Sequence, residues 1–157
     1  MESSFGKLLV LLADGGVRFV VVGGIAVSLQ GYVRLTEDVD LLIDHSPDNV
    51  HLLLATLSGY GEGYARELSP IDFTDDEGAI RIVEESEQCQ VDLFTRIAGR
   101  RYHDVMEDAD VLDLHGRSIH HASKTCLIDW KSRSGREKDQ LDVLALRRLI
   151  EDPRAFD

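Results

Sequence analysis

The chain has 157 residues, of which 43% are apolar and 29% are charged; this favours one folded domain over residues 1–157 and argues against a disordered chain. No apolar run approaches the roughly 18 to 20 residues of a membrane span, and residues 1–4 lack the cationic region of a secretory signal, so we expect a cytoplasmic protein with no membrane partner. The formal net charge of −12 opposes a long polyanionic partner unless cations gather on one face.

The first segments of the chain are predicted as helix, strand and helix. Residues 4–14 carry leucines at helical spacing, which indicates an amphipathic helix. The β-branched run of residues 18–22 is typical of a strand buried on both faces, and it ends at Gly23-Gly24. Residues 25–30 then favour a short helix that closes at a glycine.

The next strand is predicted over residues 38–44, where apolar and polar residues alternate. Val39, Leu41 and Ile43 fall on one face of this strand, and the aspartates share the other face with Leu42. We therefore expect a half-buried strand whose acids lie on its open face.

The remaining segments alternate between helices and paired strands. Ser46-Pro47 begins a predicted helix that ends at Gly59, whereas residues 61–76 have a weak pattern in which Ile71 and Phe73 fit a strand. The later segments are predicted as two antiparallel strand pairs and two helices: strands 79–84 with 90–95 and 111–114 with 118–120, then helices 123–131 and 137–150. We predict a mixed α+β fold, in which a small mixed β-sheet has helices packed on one side.

Three aspartates are the candidates for a catalytic metal site. Asp38 and Asp40 are two residues apart on a strand and therefore project from the same face, and Asp92 lies in an apolar run of a later strand. Phosphoryl transfer by a two-metal mechanism needs such converging carboxylates, because two Mg²⁺ ions about 3.5 to 4 Å apart must be held together. An Asp-x-Asp pair alone is more often a pair of solvated charges on the open face of a sheet.

The Gly23-Gly24 turn before the short helix favours the metal interpretation. A turn of this kind exposes backbone N–H groups beside the positive end of the helix dipole, which suits a phosphate group. A plain tight turn is the alternative for the two glycines taken alone. The turn, the short helix and the Asp38-Val39-Asp40 strand together favour a nucleotide site over scattered charges.

Two motifs carry a family resemblance. Gly23-Gly24 precedes the short helix, and Arg34-Leu35-Thr36-Glu37-Asp38-Val39-Asp40 follows it. These residues resemble the glycine motif and the paired metal ligands of the nucleotidyltransferase superfamily, which has the polymerase-β-like fold, and they are most similar to its lincosamide-type and AbiEii-type toxin members. The segment from Lys124 through Lys131 to Asp142 also resembles a C-terminal helix motif of these groups. The chain departs from the pattern at Gly24, where many members have serine, and we find no separate substrate-binding domain.

The resemblance implies a role for each motif residue. Asp38 and Asp40 would bridge two Mg²⁺ ions that carry the triphosphate of an NTP, and Asp92 would ligate the second ion and help to take the acceptor proton. The backbone N–H groups of Gly23 and Gly24 would hold phosphate oxygens. The remaining nucleotide-binding and catalytic residues that the motifs imply are Arg34, Thr36 and Lys131.

Several of these residues also have a structural interpretation. For Arg34 and Lys131, a surface charge or a structural ion pair is an equal alternative to phosphate binding. Asp139 and Asp142 lie three residues apart on one helix face, so we expect them to orient Lys131 or to pair with arginines and not to bind metal. Trp130 is expected in the core, with nucleobase stacking as its alternative.

Three functions follow from the resemblance. The leading one is an Mg²⁺-dependent enzyme that transfers a nucleoside monophosphate from an NTP to a hydroxyl of a small-molecule acceptor. The second is a toxin-type enzyme that modifies RNA and has a cognate antitoxin or other partner protein; nine of the 17 Lys and Arg residues lie between Arg117 and Arg154 and favour it. The third is a non-catalytic nucleotide-binding or partner-binding module of the same fold. A second copy of the chain is an additional candidate partner, because a homodimer could complete the site of so small a core.

Overall fold

The computed structural model describes residues 4–157. Residues 1–3, which form most of the segment examined for a secretory signal, lie outside the described residues. The helices are α1 (Ser4–Asp14), α2 (Gly23–Gln30), α3 (Pro47–Leu57), α4 (Tyr102–Met106), α5 (Lys124–Ser132) and α6 (Glu137–Glu151). The strands are β1 (Phe19–Val22), β2 (Asp38–Ile43), β3 (Ala79–Glu84), β4 (Cys89–Phe94), β5 (Asp110–Leu114) and β6 (Arg117–His121). None of the described helices has the length and apolar character needed to cross a membrane.

The six strands form one mixed sheet in the order β3-β4-β2-β1-β6-β5. β2 pairs in parallel with β4, and β1 pairs in parallel with β6. The other pairs, β1 with β2, β3 with β4 and β5 with β6, are antiparallel. The sheet and its helices confirm the predicted mixed α+β class, and they set β2 directly beside β4.

The core lies around β1, because all four residues of this strand are buried. Their aromatic and β-branched side chains suit a strand that is covered on both faces, as the sequence predicts. Helix α1 adds Leu8 and Leu12, which are fully buried at helical spacing. Helix α5 begins after Ser123, whose hydroxyl accepts a hydrogen bond from the Cys126 N–H. The packed core therefore fixes the backbone of β2, whose residues 40–43 pair with β1.

Strand β2 is more buried than its alternation predicts. Leu42 is fully buried, although the pattern put it on an open face, and Asp44, just after the strand, is buried as well. The Asp44 carboxylate accepts a hydrogen bond of 2.7 Å from Arg18 Nε, so an ion pair and not solvent satisfies its charge. Alternation shows which residues share a face, but it does not show how far the covering layer extends along that face. Only Asp38 and Asp40 lie at the partly exposed end of the strand.

The segment between α3 and β3 contains no strand in the described chain, which corrects the expectation for Ile71 and Phe73. Ile71 lies in a short 3₁₀ helix, Pro70–Asp72, and is 84% exposed. Ser69 and Asp72 cap this turn reciprocally, and a proline has no N–H for a strand ladder. Helix α4 was not predicted, because its five residues are too few for a clear helical period.

Candidate active site

Three carboxylates meet where β2 and β4 lie side by side. The parallel pairing sets Asp38 opposite Gln90 and Asp40 opposite Asp92, so the acids of the two strands project from one face. One ligand oxygen from each of the three aspartates lies within 4.8 Å of the others. The structure thus brings together the three residues that the sequence predicts as metal ligands.

The surroundings of Asp40 are unfavourable for an isolated charge. Burial, together with the charges of Asp38 and Asp92, raises the pKa of Asp40 to about 7. Its Oδ1 is buried and has no hydrogen-bond partner among residues 4–157. Burial and the neighbouring Asp92 also raise the pKa of Asp38. A divalent cation would offset this repulsion and give Oδ1 a partner, so this set of oxygen donors fits Mg²⁺.

Asp92 differs from the other two acids because it has a basic partner. Arg81 on β3 donates to it through Nε, 2.9 Å from Oδ1, and through Nη2, 3.1 Å from Oδ2. Burial of Asp92 opposes its ionisation, but the hydrogen bonds and charge of Arg81, together with hydrogen bonds from Asp38 and Asp40, outweigh burial and lower the pKa of Asp92. Arg81 was not among the site residues predicted from sequence. The predicted strands 79–84 and 90–95 pair residue 81 with residue 93, whereas the observed register pairs Arg81 with Asp92, so the shift of one residue hid this partner.

The glycine turn packs against the aspartates without space for side chains. Gly23 has a φ of +68°, and a Cβ at this position would lie 2.2 Å from Asp40 Oδ2. At Gly24 a Cβ would lie 2.6 Å from Thr36 Cγ2 and 3.1 Å from Arg34 Nη2. This close packing gives a physical reason for glycine at position 24. Helix α2 begins at Gly23, so the N–H groups of both glycines have no partner within the helix.

Arg34 and Lys131 form ion pairs with buried carboxylates of α6, and Asp142 is the carboxylate that they share. Arg34 donates to both oxygens of Asp142, at 2.7 and 2.6 Å, and Lys131 Nζ lies 3.0 Å from Asp142 and 3.1 Å from Asp139. Burial opposes the ionisation of Asp139, but hydrogen bonds from Ser134 and Lys131 outweigh it and lower the pKa of Asp139 to about 2. The two motif cations are therefore held by ion pairs, and the expectation that the α6 acids orient Lys131 or pair with arginine agrees with these contacts.

The aspartates open onto a polar cavity of about 560 Å³. The predicted site residues that line it are Gly23, Gly24, Arg34, Thr36, Asp38, Asp40 and Lys131, and Asp92 adjoins this wall through Asp38 and Asp40. Residues on the wall that were not predicted as site residues are Leu35, Glu37, Arg81, Gln90, Arg136, Lys138 and Asp139. Carboxylates and cations around one space can hold a triphosphate together with its metal ions.

Comparison with known proteins agrees with this geometry. Residues 2–156 match a protein family described as "Nucleotidyl transferase of unknown function (DUF2204)". The chain belongs to this nucleotidyltransferase family. No curated protein matches the chain.

Two solved structures resemble this family member in fold. The lincosamide antibiotic adenylyltransferase LnuA, in its lincomycin-bound crystal structure, has a TM-score of 0.62 and 18% identity over 92% of this chain and 94% of its own. An antigenic nucleotidyltransferase-like protein from Paracoccidioides brasiliensis has a TM-score of 0.55 and 18% identity over 93% of this chain and 76% of its own. The nucleotidyltransferase fold that the motifs predict is thereby confirmed, and the substrates have to be inferred from the site itself.

Proposed function

We propose that this nucleotidyltransferase uses Mg²⁺ to transfer a nucleoside monophosphate from an NTP to a hydroxyl group of a small-molecule acceptor. The observation that carries the proposal is the meeting of Asp38, Asp40 and Asp92, with ligand oxygens within 4.8 Å of one another. These acids adjoin a cavity that also contains the glycine turn and several cations. The combination supplies a metal site beside a triphosphate site, as binding of the donor requires.

The side chains around the cavity would have distinct tasks. The three carboxylates would hold two metal ions, which, when bound, draw negative charge from the reacting phosphate oxygens. Arg34 and Lys131 would bind phosphate oxygens from fixed positions, because Asp142 contacts both cations. The N–H groups at the start of α2 would contact the same phosphates.

The reaction is a substitution at the α-phosphorus of the NTP. The acceptor oxygen forms a bond to this phosphorus while the bond to the bridging oxygen of the β-phosphate breaks, and pyrophosphate leaves with the electron pair. The acceptor proton passes to Asp92, which the hydrogen bonds from Arg81 keep ionised. We therefore assign Asp92 two roles, metal ligand and first proton acceptor.

The charge distribution supports a small acceptor. Several cations on the cavity wall are already paired with acids, Arg34 and Lys131 with Asp142 and Arg136 with Asp139. The whole chain carries a net charge of −12, which repels a long polyanion. A neutral or cationic small molecule meets no such barrier.

Transfer of label tests the proposal. The protein is incubated with Mg²⁺, NTPs labelled at the α-phosphate and candidate hydroxyl compounds, and labelled acceptor is separated from NTP. Asp40→Asn removes one ligand charge at nearly constant volume, so labelling should fall by at least about 100-fold. Asp113→Asn, at an exposed position of β5, is the matched control and should label as the parent does. Equal rates for Asp40→Asn and the parent would contradict the metal role.

A second candidate is an AbiEii-like toxin that modifies RNA and is neutralised by an antitoxin protein. Lys138 favours it, because this exposed side chain on the cavity wall could contact a nucleic-acid backbone. Expression without a partner protein tests this candidate. Growth arrest with labelling of total RNA would support it, whereas normal growth and unlabelled RNA would count against it.

Two further measurements address the remaining parts of the proposal. Calorimetry that showed NTP binding without any dependence on Mg²⁺ would favour a non-catalytic binding module over both enzymes. The three acids come from one chain, so a homodimer would be needed only on the acceptor side, and analytical ultracentrifugation with and without NTP tests for it.

We also propose that residues 1–157 form one nucleotidyltransferase domain that works in the cytoplasm, where its NTP donor is made. The single sheet of the described strands supports one domain.

A further inference from the structure

A second cavity adjoins the proposed triphosphate site. It has a volume of about 210 Å³ and shares Gly23, Asp40, Lys131, Arg136 and Asp139 with the larger cavity. Apart from Ser134, the rest of its wall is apolar and comes from the end of β1, the end of β4 with the segment after it, and α5: Val22, Phe94, Ile97, Leu127 and Trp130. A polar cavity and a largely apolar cavity therefore meet at Asp40.

Trp130 gives the apolar wall one polar group. Its Nε1 is buried and donates no hydrogen bond within the part of the chain that the structure describes. An indole N–H is a donor only, and buried donors are normally paired. A ligand with an acceptor atom would satisfy it if the indole turned its edge toward the cavity, so this wall suits a flat ring that is apolar on its faces and has an acceptor on its edge.

We infer that the small cavity binds the nucleobase of the donor NTP, an inference that rests on the proposed function. A nucleobase has the required stacking faces and edge acceptors. It is joined through ribose to the α-phosphate, which the proposed mechanism sets beside Asp38 and Asp40. A base in the small cavity thus leaves the triphosphate in the larger one, beside Arg34 and the glycine turn.

The acceptor fits the same space less well. Sites for complete drug-sized molecules have volumes of roughly 300 to 1,000 Å³, whereas about 210 Å³ is room for one ring system. In addition, Asp92, the proposed proton acceptor, pairs with Arg81 on the wall of the larger cavity. An acceptor hydroxyl that reaches Asp92 therefore enters from that side.

Trp130 is the single tryptophan of the chain, so its fluorescence reports on this cavity. The full-length protein with Mg²⁺ is titrated with the four α,β-methylene NTPs, which resist cleavage at the α-phosphate, and separately with inorganic tripolyphosphate, which has no base. The NTP analogues should quench the fluorescence and bind about tenfold more tightly than tripolyphosphate. Tripolyphosphate should bind without quenching.

A cavity-filling variant tests the location. Ser134→Phe adds a ring to the wall of the small cavity, and Ser132→Phe, at an exposed position of α5, is the matched control. Ser134→Phe should weaken binding of the NTP analogues about tenfold more than it weakens binding of tripolyphosphate, whose site Ser134 touches only through its hydrogen bond to Asp139. Trp130→Phe keeps an aromatic ring and removes the N–H donor, so it should weaken only the NTP analogues, by about fivefold.

The outcomes separate this inference from the proposed function. Equal affinities for the NTP analogues and tripolyphosphate, or an unchanged NTP affinity in Ser134→Phe, would overturn the nucleobase assignment alone. If Ser134→Phe kept NTP binding but lost labelling of the acceptor, the cavity would hold the acceptor and the assignment would be wrong. If neither ligand bound the parent protein, the proposed function and the inference would both fail.

Discussion

Arg81 and Asp92 form a bidentate ion pair at the edge of the proposed metal site, with N···O distances of 2.9 and 3.1 Å. The Arg81 side chain is 60% exposed, whereas that of Asp92 is 7% exposed. The guanidinium therefore brings a partly solvated positive charge to a carboxylate that is also placed to ligate Mg²⁺. Arg81 and a metal ion act on the same oxygens, and their charges repel each other.

Arg81→Gln should consequently tighten the binding of Mg²⁺ in the absence of nucleotide. Solvent and salt screen the repulsion, so we expect the affinity to rise by about threefold. Isothermal titration calorimetry with Mg²⁺ or Mn²⁺ measures the change. Arg101→Gln is the matched control, because Arg101 pairs with Asp75 in a similar exposed geometry away from the three aspartates. Weaker metal binding in Arg81→Gln would mean that Arg81 supports the site by holding Asp92.

Asp40 should make the stability of the metal-free protein depend on pH. Its pKa is about 7 in the folded chain, against about 3.9 in an unfolded one, so the folded state binds this proton more tightly. Stability is therefore greatest when Asp40 is protonated, and it falls as the pH rises from about 4 to about 7. Asp40→Asn imitates the protonated form and should raise the Tm of the metal-free protein at about pH 8 by about 5 °C.

The gain in Tm should depend on pH and on Mg²⁺, and calorimetry can measure both dependences. It should shrink at about pH 5, because the parent Asp40 then carries most of its proton. Mg²⁺ should raise the Tm of the parent more than that of Asp40→Asn, since the variant lacks one ligand charge. The exposed Asp113→Asn should behave as the parent does under all these conditions. A lower Tm for metal-free Asp40→Asn at about pH 8 would contradict the unfavourable burial of this charge.

The parts of the site that lie within one strand or one motif were predictable from sequence. Asp38 and Asp40 follow from strand alternation, whereas the pairing of β2 with β4, which brings in Asp92, needed the structure. Arg34 and Asp142 are 108 positions apart, so no local pattern could show that they form an ion pair. The burial of Leu42 was also missed, because alternation along one strand does not show which other parts of the chain cover each face.

Asp142→Asn should destabilise the protein strongly. The side chain is fully buried and contacts Arg34 and Lys131, so the substitution leaves two cations without their shared countercharge. Removal of one partner of a buried ion pair costs about 3 to 5 kcal/mol, and urea unfolding measures the loss. Asp157→Asn is the control, because Asp157 pairs with Arg154 at an exposed site, where an ion pair contributes about 0 to 1 kcal/mol.

The kinetics of Asp142→Asn separate a positioning role from a purely structural one. If Asp142 positions Arg34 and Lys131 for the triphosphate, the folded variant should have a raised KM for NTP with a smaller change in kcat. If the variant had the KM of the parent but lower stability, the role of Asp142 would be structural only. If the free energy of unfolding of the variant equalled that of the parent, the buried ion pairs of Asp142 would not stabilise the fold.

Gly23→Ala should disrupt the metal site by direct collision. A Cβ at Gly23 would lie 2.2 Å from Asp40 Oδ2, so either the carboxylate rotates away or the start of α2 shifts. We expect the Mg²⁺ affinity measured by calorimetry to fall by about tenfold or more, because one of three ligands leaves its position. Gly16→Ala is the matched control: Gly16 has a φ of +75° and no atom within 4 Å of its added Cβ, so it shares the backbone strain without the collision. Both variants should lose Tm, since a side chain in this backbone conformation costs about 1 to 2 kcal/mol, but only Gly23→Ala should lose Mg²⁺. If Gly23→Ala bound Mg²⁺ as the parent does, Asp40 could move without loss of the site, and the glycine would serve the turn alone.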